Sequence, residues 1–219
     1  MKISCPYSGI EAIVEVQDAG QHIQNFWAHG VFYEGQANGL LDDAYKRFQG
    51  QDVGIVYDIG AQRGNHSIWF AMALKAPVLA MEPNLPSFMA LDRNMRLNLA
   101  GERVTRLMAA AGASEGFCSM EEGSGEGMTH VVPGAEVQVV PLDKFLMEDW
   151  VGLIKIDVEG QEMEVLKGLA LTISQHRPFF YVEGELTALM DFFGPLGYER
   201  VWSGNATPTH GFSPNPAAK

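Results

Sequence analysis

The chain of 219 residues carries 27 acidic against 15 basic side chains, a formal charge of −12, with 47% apolar and 19% charged residues. Such a composition can bury a sizeable core and is not that of a disordered chain. A surplus of acid also argues against a nucleic-acid partner or an anionic membrane surface, because both need Lys and Arg to meet phosphate.

The two cysteines, Cys5 and Cys118, make no disulfide framework and carry no zinc spacing, so they read as free thiols in a reducing compartment. The first residues contain no apolar core of a signal peptide, and no apolar run approaches the ~20 residues of a membrane span. A soluble, cytoplasmic protein is expected.

In chain order, residues 11–18 alternate as a strand does, and residues 27–48 read as a turn followed by an amphipathic helix. GIVYDIG (54–60) is a compact apolar strand, and a loop leads from it to a helix over 65–75. A strand at 77–83 precedes a helix over 85–98, where Phe88, Leu91 and Met95 share a face, and a third strand is expected over 103–112. The Gly- and Glu-rich stretch 112–135 reads as a loop or weak hairpin. Residues 136–146 then give a strand that opens a helix, 153–160 a strand, 161–173 a helix and 178–185 a strand. A short helix near 186–193 and a last strand at 197–202 follow, and the tail from Ser203 offers little core and no evident seventh strand.

This alternation predicts an α/β fold with a doubly wound, mostly parallel sheet. The expected organisation is an N-terminal leader, residues 1–50, packed on a single globular unit, residues 51–219.

Ligands of such sheets lie beyond the carboxyl ends of the strands. The first core strand ends in Asp58-Ile-Gly60-Ala-Gln62-Arg-Gly64-Asn65. Gly60 and Gly64 allow a tight turn and a close approach to a ligand, and the helix starting near Asn65 offers free N–H groups to an anion. Structural turn glycines are the plain alternative. Glu82 lies 24 residues after Asp58, at the end of the next strand, where a carboxylate can accept from both hydroxyls of a ribose. Loop and acid together indicate a nucleoside-containing cofactor.

Asp157 and Glu159 sit two apart at another strand end, and Glu183 and Glu185 repeat the pattern. Neighbouring strand ends would gather Asp157, Glu159 and Glu183 into one acidic mouth, suited to a general base or a divalent metal. The rival reading has Glu159 or Glu185 capping the following helix. No spacing identifies a metal site. His66 and His176 are rival bases.

Three segments together, VYDIGAQRGNHS (56–67), AMEPN (80–84) followed by Asn94 and Asn98, and LIKIDVEGQEMEVLKG (153–168), resemble the FkbM-type methyltransferases. Gly30–Glu34 and Pro178–Glu183 match weaker features of that family, so the likeness runs from about residue 30 to 185. One departure is Gln62, where the family usually has Asn. The resemblance implies a class I Rossmann-like methyltransferase fold with one antiparallel strand, and S-adenosylmethionine as cofactor. It further implies that Asp58, Gly60, Gly64 and the Gln62–Asn65 loop hold the methionine end. Glu82 would take the ribose, Asn84 would border the adenosine, Ala110 would flank adenine, and Asp157 and Glu159 would face the methyl group.

The expected function is O-methylation of a hydroxyl on a small-molecule or saccharide acceptor, with Asp157 or Glu159 as base and Glu183 orienting the acceptor. N-methylation and a non-catalytic S-adenosylmethionine-binding module are the alternatives. The sequence leaves the oligomeric state open, a homo-oligomer included.

Overall fold

In the computed structural model, residues 1–20, 22–122, 129–145, 149–204 and 207–216 are described. Strands β3 (Ile55–Ile59), β4 (Val78–Met81) and β10 (Val151–Ile156) are buried along their whole length, as the continuous apolar runs of the sequence require for strands covered on both faces. They form the centre of a seven-stranded sheet together with β5 (Val104–Leu107), β11 (Phe179–Glu183), β12 (Tyr198–Ser203) and β13 (Thr209–Pro214). The order is β12-β13-β11-β10-β3-β4-β5. Every pairing from β11 to β5 is parallel, and β13 runs antiparallel to both its neighbours.

The tail therefore supplies the seventh strand that the sequence reading did not find there. Turn-formers obscured it, and its core content is small. Phe212 is fully buried, stacked on Phe193 at 4.3 Å, and Thr209 and His210 are also buried.

Helices cover both faces. Helix α2 (Leu40–Phe48) buries Leu40, Leu41, Asp42 and Ala44, and pairs Asp42 with Lys46 at 2.7 Å and Asp43 with Arg47 at 3.2 Å, one turn apart. Helix α3 (Asn65–Trp69) is wholly buried and widens into a π-helical turn over Phe70–Leu74. Helix α4 (Leu85–Arg96) begins with the side chain of Asn84 accepting from Ser87 N and ends with Arg93 and Arg96 in its last turn. The helix expected over 161–173 is two helices, α5 (Glu162–Lys167) and α6 (Ala170–His176). They part at Gly168, where any Cβ would stand 2.2 Å from the Gly112 carbonyl oxygen. Helix α7 (Leu186–Phe193) is capped by Glu185, which accepts from Thr187 N and Ala188 N.

The expected strand over 103–112 is broken. Its second half, β6 (Ala110–Ala111), leaves the main sheet and pairs with β9 (Val137–Val140). Strand β7 (Gly116–Glu122) joins β9 and forms a hairpin with β8 (Thr129–Pro133), so the Gly-rich stretch builds a second sheet of order β6-β9-β7-β8. After β9 the chain makes only a 3-10 turn, Leu142–Phe145, before residues that lie outside the described ones.

The N-terminal segment folds as a hairpin of β1 (Lys2–Cys5) and β2 (Ile10–Ile13) and a helix α1 (His22–Ala28). Its Ile3, Cys5, Trp27 and Phe32 belong to the same buried cluster as Val56, Trp69 and Leu153. Asn65 fixes this join, since its Oδ1 accepts from Trp27 Nε1 and from Tyr33 N at 3.0 Å each, and its Nδ2 donates to Tyr33 O at 3.1 Å.

Candidate active site

The register of the four inner strands decides where the chemistry sits. Ile59 pairs with Met81 on one side and with Ile156 on the other, and Ile156 pairs with Val182. The next residue on each strand is Gly60, Glu82, Asp157 and Glu183, so four strands deliver these four residues side by side at one edge of the sheet. A cleft of about 860 Å³, open mouth included, lies over that edge.

Gly60 turns the chain at φ +78, and a Cβ would stand 1.7 Å from the Asp157 carbonyl oxygen, so only glycine lets β3 and β10 approach so closely there. Gln62 follows at φ +48, a left-handed geometry that Asn adopts more readily than Gln. Its N–H donates to Glu82 Oε2 at 2.8 Å, while its own Oε1 is buried without a partner. Glu82 Oε1 accepts from Asn84 N at 2.8 Å. The Glu82 carboxylate thus braces two loops and keeps unused acceptor capacity in the cleft it lines. Burial pushes its carboxyl up to about 7 against the two backbone donors, which favour the ionised form.

At the other end of the cleft stands Lys155, 2% exposed, with Nζ 3.2 Å from Asp157 Oδ2 and 3.5 Å from Asp58 Oδ1. Asp58 and Lys155 are register partners on adjacent parallel strands, which places the two charges on one face. The sequence reading gave Lys155 no role. A lysine inside the apolar run LIKI was the available signal, since such a cation must find a buried partner.

Asp157 and Glu183 share a hydrogen bond. Burial acts to raise Asp157, but the Lys155 ammonium and the Glu183 bond outweigh it and hold Asp157 below the usual carboxylate range. Burial, then the Asp157 charge, pushes Glu183 up to about 8. Asp157 is therefore the acid that ionises first, and Glu183 the one that keeps its proton to higher pH. Glu159 sits exposed on the rim at φ +53, raised by burial and by Asp157. The turn before α5 is braced by Glu162, which accepts from Gly160 N at 2.9 Å, rather than by Glu159.

Of the residues expected to hold a cofactor, Gly60, Gln62, Glu82, Ala110 and Asp157 line the cleft. Asp58, fully buried between Ser67 Oγ at 2.5 Å and Lys155, is not among the lining residues. Gly64 packs towards Met95 and Leu91 of α4, Asn65 ties down the N-terminal segment, and Asn84 caps α4. The cleft also takes Tyr33 and His66, which the sequence reading had left out of the site or set aside. His176 accepts from Val151 N at 3.0 Å, at the opposite end of β10. Among the described residues, no group of three or more His, Cys, Asp or Glu side chains is arranged to hold a metal ion, and no helix is long and apolar enough to cross a membrane.

The sequence model described as the methyltransferase FkbM domain matches residues 58–210. The chain belongs to the FkbM methyltransferase family. Methyltransferase FkbM from Methylobacillus flagellatus KT has a similar structure, with a TM-score of 0.55 at 20% identity over 73% of this chain. The match covers 43% of that protein, so this chain spans less than half its length. The ribosomal protein L11 methylase from Lactobacillus delbrueckii subsp. bulgaricus gives 0.51 at 15% identity, covering 80% of this chain and 77% of that one. The N-terminal domain of human METTL16, in complex with SAH, gives 0.51 at 12% identity, covering 92% and 74%. A search of curated proteins by sequence returns no match. At these identities the structural likenesses establish the fold, that of the class I, Rossmann-like methyltransferases.

The cleft of this FkbM methyltransferase suits a nucleoside with a cationic appendage. Glu82 offers free acceptor capacity for two hydroxyls, Met81, Ala109 and Ala110 offer a flat apolar bed, and the orphan Gln62 Oε1 is a buried acceptor awaiting a donor.

Proposed function

We propose that this FkbM methyltransferase transfers the methyl group of S-adenosylmethionine to a hydroxyl oxygen of a small-molecule or sugar-like acceptor. The observation that carries the reading is the register of β10 and β11, which delivers Asp157, a cleft-lining carboxyl, and Glu183 side by side at the ends of neighbouring strands. Glu82 takes the ribose hydroxyls, Met81, Ala109 and Ala110 bed the adenine, and the Gly60–Gln62 backbone receives the methionine carboxylate. Asp58 acts from behind, holding Lys155. The bound cofactor supplies an already activated methyl group on sulfonium sulfur.

This chain's part is alignment and proton removal. In-line positioning is worth roughly 7–11 kcal/mol, and a placed base about 10²–10⁴-fold. With the cofactor bound, the acceptor hydroxyl would lose its proton to the ionised Asp157–Glu183 pair as its oxygen takes the methyl carbon and the carbon–sulfur bond breaks, leaving SAH. Lys155 and Glu159 set the field in which the pair titrates. Only the fully ionised pair accepts a proton, so kcat rises with pH through about 8.

The test is a panel of alcohols, polyols and amines, assayed by SAH release between pH 6 and 10, with calorimetry of S-adenosylmethionine binding. Glu183→Gln is expected to lower kcat about 10²-fold or more with cofactor affinity unchanged. A pH-independent kcat, or turnover of amines alone, would refute hydroxyl methylation. Binding without turnover of any panel member would identify a cofactor-binding module.

A further inference from the structure

Glu34 is a buried acid that the chemistry above leaves unused. It is 4% exposed and sits at φ +55, a backbone conformation that costs a non-glycine residue energy and is kept only where surroundings enforce it. Its carbonyl accepts from Leu41 N, and a Cβ on Gly39 would stand 2.3 Å from that carbonyl oxygen, so the loop has room for one geometry.

The side chain joins three segments of the chain. Oε2 lies 2.9 Å from His66 Nε2 at the start of α3, and Oε1 accepts from Thr207 Oγ1 at 3.4 Å in the β12–β13 connection. His66 is 5% exposed, with its ring edge-on to Tyr33 at 6.1 Å and tilted against Phe70 at 6.2 Å. The ring is therefore fixed, with Nε2 committed to Glu34 and no protein partner for Nδ1 among the described residues.

Both His66 and Tyr33 line the cleft with Asp157. Burial, and then the charges of Glu34, Asp157 and Glu183, push the Tyr33 phenol well above its usual range, so its hydroxyl remains a donor within the field of the proton-accepting pair. Asp157, whose charge reaches Tyr33 and His66, follows β10 on one side of β3, whereas Glu82 follows β4 on the other. With the nucleoside at Glu82, as read above, this side of the cleft is left for the acceptor.

We propose that His66, positioned by Glu34, and Tyr33 together bind a second hydroxyl of the acceptor. The acceptor is then a neutral polyol, a sugar or cyclitol, and not an isolated alcohol or an acidic sugar. An imidazole with one nitrogen free can donate to or accept from a hydroxyl, and the phenol adds a donor. Asp157 and Glu159 line this part of the cleft with Glu34 and Glu183 close behind, and Lys155 is already committed to Asp157 and Asp58, which disfavours a carboxylate or phosphate on the ligand. The inference rests on hydroxyl methylation as read above.

The probes are methyl hexopyranosides and inositols, the matching uronic acids, cyclohexanol and a primary amine, followed by SAH release. Polyols are expected to be turned over well and cyclohexanol poorly. For the best polyol, His66→Phe is expected to raise KM about tenfold, with kcat within about threefold and cofactor Kd unchanged. His66→Gln, which keeps an amide donor, should recover part of that loss, and Tyr33→Phe, which removes one oxygen and leaves the packing, should raise KM several-fold. Glu34→Gln should act in the same direction as His66→Phe. Preference for cyclohexanol or for uronic acids would overturn the inference and leave hydroxyl methylation standing. So would a loss confined to kcat with a displaced pH profile in His66→Phe, which would make His66 a proton-transfer group. Turnover of the amine alone would overturn the underlying reading itself.

Discussion

Lys155→Met is the most demanding perturbation of this architecture. The ammonium lies 3.2 Å from Asp157 and 3.5 Å from Asp58, at 2% exposure. At an effective dielectric constant of ~20 each attraction is about 5 kcal/mol before desolvation is counted. Deleting one partner of such a buried group leaves its carboxylates uncompensated, at a net cost of about 3–5 kcal/mol. Methionine keeps most of the stem's volume, so packing adds little to this figure.

The loss carries a pH signature. Without the ammonium, Asp157 in the folded protein titrates above its unfolded value, and the native state binds more protons than the unfolded one. The variant's stability then falls as pH rises, and its deficit against wild type narrows from pH 8 towards pH 5. Urea unfolding across that range measures both effects. A deficit below about 1 kcal/mol at pH 8, or one that widens as pH falls, would refute the assignment of Lys155 as the counter-charge of the strand ends.

Glu82→Ala should weaken S-adenosylmethionine binding by about 1.5–3 kcal/mol, through lost hydrogen bonds to a charged group, and calorimetry reads this directly. In the ligand-free wild type, Glu82 and Glu183 titrate near 7 and 8, above the ordinary 4.5, so the native state binds extra protons between these values. Their contribution to stability is full below about pH 4.5 and is lost as pH rises through 7 and 8. Urea midpoints should show that decline, and Glu183→Gln should remove its upper part. Asn65→Ala strands the Trp27 indole N–H and both backbone groups of Tyr33 in the core, with an expected cost of about 2–4 kcal/mol and a red shift in tryptophan emission. Unchanged emission would show that Asn65 does not anchor the N-terminal segment.

The parallel core was legible because a strand buried on both faces must be apolar throughout, and β3, β4, β10 and β11 each announce that, with an acid or glycine just beyond. The mouth formed by Asp157 and Glu183 was legible for the same reason. Contacts between distant segments were harder to read. Lys155 acquires its meaning from Asp58 on another strand, and Glu34 from His66, 32 residues on. Asn65 and Gly64 carried the sequence signal of a ligand loop, but their side-chain space is taken up by the N-terminal segment and α4. Strand β13 is hard to read from sequence because Gly211 and Pro214 are poor strand formers and the residues before it are turn-formers. Pairing on both sides holds it in place.

That double pairing has a consequence for assembly of the fold. β13 comes last in the chain yet separates β11 from β12, so two strands made earlier have no partner on those edges until it arrives. A nascent or truncated chain that stops before Thr209 presents the apolar edge of β11, Phe179 to Glu183, to any other extended segment it meets. Threading the final strand into the gap closes this edge and also brings in the β12–β13 connection, with Thr207 against Glu34. Closure of the sheet and the seating of Thr207 on the buried Glu34 carboxylate therefore come together, after every other strand is made.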